Sequence, residues 1–246
     1  MSRRAFSLID MLVSLAIVAL LMGILLPSLG RVREIARQAV CASNDRQIGL
    51  GIHMFADENK SFLPSSLFLD PESPYSGGRS ADIQQRRMIL LRFRTITHVG
   101  QGRESAAPWD GLGKLFADQY LPASAVFYCP SHRGSHPLDR YADRFVLAGS
   151  NEIYSNYQYR GQGPDGQRRL HMLDSGVALV ADALAGEEYF NHAEGFNVLS
   201  VDGSVSWFAD AGGSLATRLA DTETATDDNS VGLTWGRFDG QGLGAP

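Results

Sequence analysis

Residues 6–29 read FSLIDMLVSLAIVALLMGILLPSL, and their only ionisable side chain is Asp10. From residue 11 to residue 29 there is none. Wound as a helix at about 1.5 Å per residue, that run reaches about 28 Å and nearly crosses a hydrocarbon layer. The stretch predicts a membrane-spanning helix at the N-terminus. A short basic leader, MSRRA, precedes it, and a charged segment, GRVREIARQAV, follows with no A-x-A-like site. A secretory signal has a shorter apolar run and a small-residue cleavage site after it. Here the small residue, Ala5, stands before the run. Arg3 and Arg4 precede the segment while Arg31, Arg33 and Arg37 follow it, so the basic residues alone leave its orientation open.

Outward from this stretch, the pattern changes without stopping. Leu29, Val32, Ile35, Ala36, Ala39 and Val40 recur at spacings of three and four, with Arg31, Arg33, Glu34, Arg37 and Gln38 between them. Ile48, Ile52 and Phe55 resume the rhythm. This is an amphipathic helix growing out of an apolar one. Pro27 removes one backbone donor and predicts a kink if the two are continuous. Gly49 and Gly51 weaken the far end by about 1 kcal/mol each. From residue 6 to about residue 57 the whole helix would be roughly 78 Å long.

Residues 59–246 are expected to form one loop-rich globular head. A net charge of −5, with basic residues scattered in QQRR and GQRR, gives no stripe for nucleic acid. Glycine, 26 of 246 residues, exceeds the usual fraction of about 7 % and predicts many turns. Residues 58–109 are irregular, although DIQQRRMILLRFRTITHV can hold a short helix or strand. DGLGKLFADQYLP reads as a short amphipathic helix with Asp110 as N-cap and Pro122 past its end. AVFYC (125–129), SNYQYR (155–160), VALVAD (177–182), NVLSV (197–201) and SVSWF (204–208) read as strands. Asp202 and Gly203, between the last two, predict a hairpin with a type I′ turn. The expected fold is α+β, an antiparallel sheet laid on the amphipathic part of the long helix.

Few residues carry a chemical signal. His192 and Asp202 could make an acid–base or metal pair if a third polar group converged on them. The competing role is structural, with His192 fixing the loop into the hairpin and Asp202–Gly203 serving only the turn. Cys41 and Cys129 suit a disulfide stapling helix to head, and equally suit two buried small hydrophobes. Cys129, His132 and His136 also form C-x2-H-x3-H, a zinc-type spacing without a clear fourth ligand. GxSxG, HExxH, Walker A and GxGxxG patterns are absent, and GQGPDGQ and DTETATDDN lack the ligand spacing of a calcium loop. No catalytic residue, cofactor or metal is therefore assigned, and an enzyme is not expected.

Two sets of residues carry a family resemblance. Ala5, Phe6 and Asp10 at the head of the apolar run resemble the class III signal of type IV prepilins and type II secretion pseudopilins. Ala5 stands where that family usually has Gly, and Asp10 where it usually has Glu. The resemblance implies cleavage by prepilin peptidase between Ala5 and Phe6, with N-methylation of Phe6. It implies that Asp10 pairs with the N-terminal amine of a neighbouring subunit during assembly. It also places the N-terminus in the cytoplasm and the head in the periplasm of a bacterial inner membrane. The second set is HAEGFNVLSVDGSVSWF, where His192, Asn197, Asp202 and Gly203 match the H-X9-DG signature of a DUF1559-like group of prepilin-like proteins. CASNDRQIGLGIHMFADENKSFLP is similar to that group's C-x-x-N segment, and FYCPS to its second cysteine segment.

Together they imply a pilin-like chain: leader 1–5, transmembrane helix 6–29, amphipathic continuation 30–58 and head 59–246 with the signature at 192–203. The implied role is a pilus or type II secretion pseudopilus subunit. Its implied partners are prepilin peptidase, other pilin-like subunits, an inner-membrane assembly platform and the lipid bilayer. Two other readings stay open: a ligand-binding or enzymatic extracytoplasmic head carried on a pilin-type anchor, and a single-pass protein that is never processed.

Overall fold

The computed structural model describes residues 8–73, 88–93, 108–146, 152–182, 184, 190–210, 212–221 and 230–240. Helix α1, Leu8–Glu58, is continuous over 51 residues. Pro27 removes one donor from its ladder without ending it. In its first half the large apolar side chains up to Leu29 are all exposed. In its second half Cys41, Asp45, Ile48, Ile52 and Ala56 form one buried face at helical spacing. Gly49 and Gly51 fall in this face and the helix persists through both. A Cβ at Gly49 would lie 2.9 Å from a Leu199 methyl, and one at Gly51 would lie 2.9 Å from Leu121 Cγ. The glycines lower helix propensity but let the head pack close, and packing is what stabilises most protein helices.

The head is built on a four-stranded antiparallel sheet in the order β3-β4-β5-β6. Its strands are Tyr157–Tyr159, Ala178–Asp182, Gly195–Ser200 and Val205–Ala209. A smaller pair, β1 (Leu90–Arg92) with β2 (Ile153–Tyr154), lies beside it. Strands β4 and β5 are buried on both faces. Leu179, Val180, Leu199 and Val201 pack with Ile48 and Ile52 of α1. Ala178, Ala181, Phe196 and Val198 face helices α4 (Ser214–Asp221) and α5 (Ser230–Phe238) through Leu215, Leu219, Val231 and Trp235. The Arg160–Asp239 ion pair, at 2.8 Å and buried, ties the end of α5 to the sheet, and Asp239 also accepts from the Ala178 N–H at 2.8 Å.

One irregularity in this sheet turns an acid toward α1. The β4–β5 register slips between Ala178 and Val180, so β4 carries one extra residue. Leu179 and Val180 consequently sit in the same core layer, and the alternation after them is reversed. Asp182 therefore faces α1; strict alternation from Ala178 would have turned it to the α4–α5 side.

Three sequence expectations are corrected. AVFYC is not a strand: Ser124–Phe127 is a 3-10 turn, and Tyr128 after it has extended backbone angles but lies in a bend. Asn156 replaces the missing ladder, donating its N–H to Phe127 O and accepting the Cys129 N–H on its side chain. Asp110 is not an N-cap. Helix α2, Gly113–Ala117, starts from Leu112, and the Asp110 carboxylate instead accepts from the Leu67 N–H at 2.6 Å and the Ser66 hydroxyl at 2.7 Å. The hairpin at Asp202–Gly203 exists, but its turn is not type I′. Only Gly203 has positive φ, +80°, and its N–H bonds Ser200 O. This is the three-residue loop in which a turn is followed by a left-handed glycine. Helix α3, Leu138–Val146, and a 3-10 turn, Leu170–Met172, complete the described elements.

Candidate functional site

A polar seam runs between the second half of α1 and the sheet. The disulfide Cys41–Cys129 lies within it, with Cα atoms 5.2 Å apart and the two residues 88 positions apart in sequence. By loop-closure entropy a bridge of that span stabilises the fold by about 4 to 5 kcal/mol. The exposed end of the seam is Glu34. Its Oε1 lies 2.8 Å from His192 Nδ1 and 2.7 Å from the Ser131 hydroxyl, which donates to it. Partial burial pushes the Glu34 carboxyl up, but Ser131, His192 and Arg37 outweigh it and hold the group below the usual range. A carboxylate only accepts, so this contact places a proton on Nδ1 of His192. The other ring nitrogen turns inward, 3.6 Å from Cys129 Sγ and 3.9 Å from Asp182 Oδ2. The imidazole thus bridges an outer and an inner carboxylate, with the Trp207 ring edge-on at 5.6 Å.

Asp182 is the inner hub, fully buried. Oδ1 accepts from Asn191 Nδ2 at 2.8 Å, and Oδ2 accepts from the Asn197 N–H at 2.6 Å and Asn197 Nδ2 at 3.2 Å. Asn191 also donates to Asn156 O at 2.8 Å, and Asn44 of α1 donates to Tyr128 O at 3.1 Å. Next to this satisfied acid is an unsatisfied one. Asp45 is fully buried and, among the described residues, neither of its oxygens has a hydrogen-bond partner. Burial first, and then the neighbouring Asp182 charge, push Asp45 well above the usual carboxyl range. Asp182 is also raised by burial, against the opposing effect of His192 and its asparagine donors. Of the two acids, Asp45 is the one suited to stay protonated, because no described residue donates to it.

The far end of the seam is His53, whose Nε2 lies 2.8 Å from Val201 O. Glu34 to His53 is nineteen steps of helix, about 28 Å at 1.5 Å each. From His192 to Val201 the chain passes through bends at residues 193 and 194 and then along strand β5. Chain and helix run side by side, and the two histidines pin them at both ends.

A family model described as SBP_bac_10, protein of unknown function (DUF1559), matches residues 30–183. The chain belongs to the DUF1559 family. The matched span of this DUF1559 protein takes in Glu34, Cys41, Asp45, Cys129 and Asp182, and ends before the β5–β6 hairpin. No curated protein and no solved structure matches the chain.

Of the residues singled out from the sequence of this DUF1559 protein, Ala5 and Phe6 lie outside the described residues. Asp10 is exposed in the first turn of α1. Cys41 and Cys129 are joined. His192 and Asn197 enter the seam, but Asp202 does not. It sits at the exposed turn, accepts from the Ser204 N–H at 2.9 Å and is lowered by Ser204. His192 and Asp202 are at opposite ends of β5 and cannot act as a pair. The C-x2-H-x3-H set does not gather either: Cys129 is spent in the disulfide, His132 Nδ1 contacts Asn191 at 3.1 Å, and His136 Nδ1 contacts the Tyr141 hydroxyl. Sequence reasoning missed Glu34, Asp45, Asp182 and Asn191. Two of them had a signal: Asp45 stands one helical turn after Cys41 on the apolar face, and Asp182 ends the apolar run VALVAD.

Proposed function

We propose that this DUF1559 protein is a pilin-like, membrane-anchored subunit of a pilus or type II secretion pseudopilus. The observation that carries the reading is the division of α1. One 18-residue window of it has a mean hydropathy of 2.6 and is 0 % buried, while the half beyond it is packed into the head. So many exposed Leu, Ile and Val side chains, each costing about 1.5 to 3 kcal/mol in water, need lipid or neighbouring helices around them. A helix that stores itself in a bilayer and then packs against copies of itself meets both needs. On this reading prepilin peptidase cuts between Ala5 and Phe6 and methylates Phe6. Asp10 then pairs with the amine of the adjoining subunit, with the head held in the periplasm.

The disulfide, the His192–Glu34 contact and the His53–Val201 contact suit this mechanical role, because they fix the head to the helix that does the assembling. The rival reading, a ligand-binding or enzymatic head on the same anchor, drew on a pocket shared by His192 and Asp202, and their separation removes that support. Mass spectrometry of the N-terminal peptide from native membranes tests the proposal. N-methyl-Phe at residue 6 is expected, and a chain still beginning MSRRA would contradict processing and assembly.

A further inference from the structure

Beside the outer end of the seam lies an open groove of about 1370 Å³. Its floor is the stretch of α1 that starts at Gly30, one residue past the apolar run, and its walls include Arg133, His192 and Trp207. Three arginines, Arg31, Arg33 and Arg37, line the helix side. Among the described residues the acids of the groove are Glu34 and Glu194, and Glu34 is already engaged by His192, Ser131 and Arg37. The described lining therefore carries a net positive charge. Trp207, on edge strand β6, is 37 % exposed, and a large ring left partly open suits a wet–apolar boundary.

Position along the helix adds the decisive constraint. If residues 11–29 fill the hydrocarbon, the headgroup layer extends about 5 to 8 Å beyond Leu29. At about 1.5 Å per residue, Arg31 and Arg33 stand inside that layer and Arg37 just above it. Guanidinium groups bind phosphate through paired N–H donors, which makes them better suited than point charges to hold one headgroup in place. We infer that this groove is a binding site for the phosphate headgroup of an anionic phospholipid in the leaflet from which the head emerges. Arg31 and Arg33 contact phosphate from the two flanks of the helix, Arg37 and Arg133 supply long-range attraction, and Trp207 lines the facing wall. The bound lipid sets how deeply the head sits and which way it faces before assembly.

This rests on the membrane-anchor reading, so the test begins there. Membranes containing the full chain are washed with alkaline carbonate. Release of the chain overturns the anchor and the lipid site together. Retained chain is extracted in mild detergent with equal phosphatidylglycerol and phosphatidylcholine, and bound lipid is counted by native mass spectrometry. Selective retention of phosphatidylglycerol is expected. R31Q/R33Q should lower it about 30-fold, the loss of two headgroup contacts of about 1 kcal/mol each. R31K/R33K should restore part of it, and R140Q, on α3, should leave it unchanged. Equal retention of the two lipids, or wild-type retention by R31Q/R33Q, would overturn the lipid site while leaving the anchor intact. So would displacement of the lipid by equimolar inorganic phosphate, or a dimer that excludes lipid from the groove.

Discussion

The two halves of α1 share one unbroken backbone and almost nothing else. Residues 8–29 present apolar side chains on every side and pack against nothing among the described residues, whereas residues 41–56 present one buried stripe and bury it in the head. Each half has been fitted to its own surroundings. The first half needs only length and hydropathy, so any apolar residue serves almost anywhere in it. The second half needs a particular side chain at each buried position, including two glycines, a cysteine and an acid. Sequence tolerance should therefore differ sharply across residue 30, and so should the consequences of change.

The largest effect is expected from removing the staple. Replacing Cys41 and Cys129 together by Ala should lower head stability by about 4 to 5 kcal/mol, read as a fall in the urea midpoint of Trp fluorescence. Membrane insertion of the first half should not change. Unchanged urea unfolding would mean that this bond does not hold the second half of α1 to the head. The mirror experiment is Val18→Arg, which puts a charge at mid-bilayer. It should disfavour insertion by about 2.5 to 3.5 kcal/mol and shift the chain out of the membrane fraction, with an unaltered urea midpoint for the head.

Close approach comes next. Gly49→Leu should cost about 1 to 3 kcal/mol in head stability, because Leu199 already occupies the space of a Cβ. Gly23→Leu, in the first half, has nothing within 4 Å of its Cβ position and should be neutral in the same measurement. The smallest effect per step is a pH dependence. Asp45 binds its proton more tightly folded than unfolded, so its favourable contribution is full below the ordinary value of 3.8 and is lost as pH rises through the raised folded value. Asp45→Asn should thus match the wild type near pH 4. Above that it should gain on it by at most about 1.4 kcal/mol per pH unit. Parallel stability–pH curves for the two proteins would show that Asp45 is ionised inside the fold.

The same division explains what could be read in advance. The reach of α1 to Glu58, the hairpin around Gly203 and the β4 strand in VALVAD followed from periodicity and turn chemistry, which are local. The seam was not local. Asp182 faces the helix only because β4 carries an extra residue, and no alternation of apolar and polar residues announces a bulge. Asp45 could be seen on the apolar face of α1, but its neighbour Asp182 is supplied by a strand far away in sequence. AVFYC has strand composition, yet it turns as 3-10 because Asn156 offers its backbone other partners. The disulfide stood among three uses for the cysteines until the packing of the head on α1 brought Cys129 to Cys41.

Hydrogen exchange on the full chain in lipid nanodiscs, under urea and a reductant, tests most directly whether the two halves of α1 are held by different media. The amides of residues 11–29 should stay protected after those of residues 41–56 have been lost together with β5. Simultaneous loss in both halves, or fast exchange at residues 11–29 while the head is folded, would contradict a helix shared between bilayer and head.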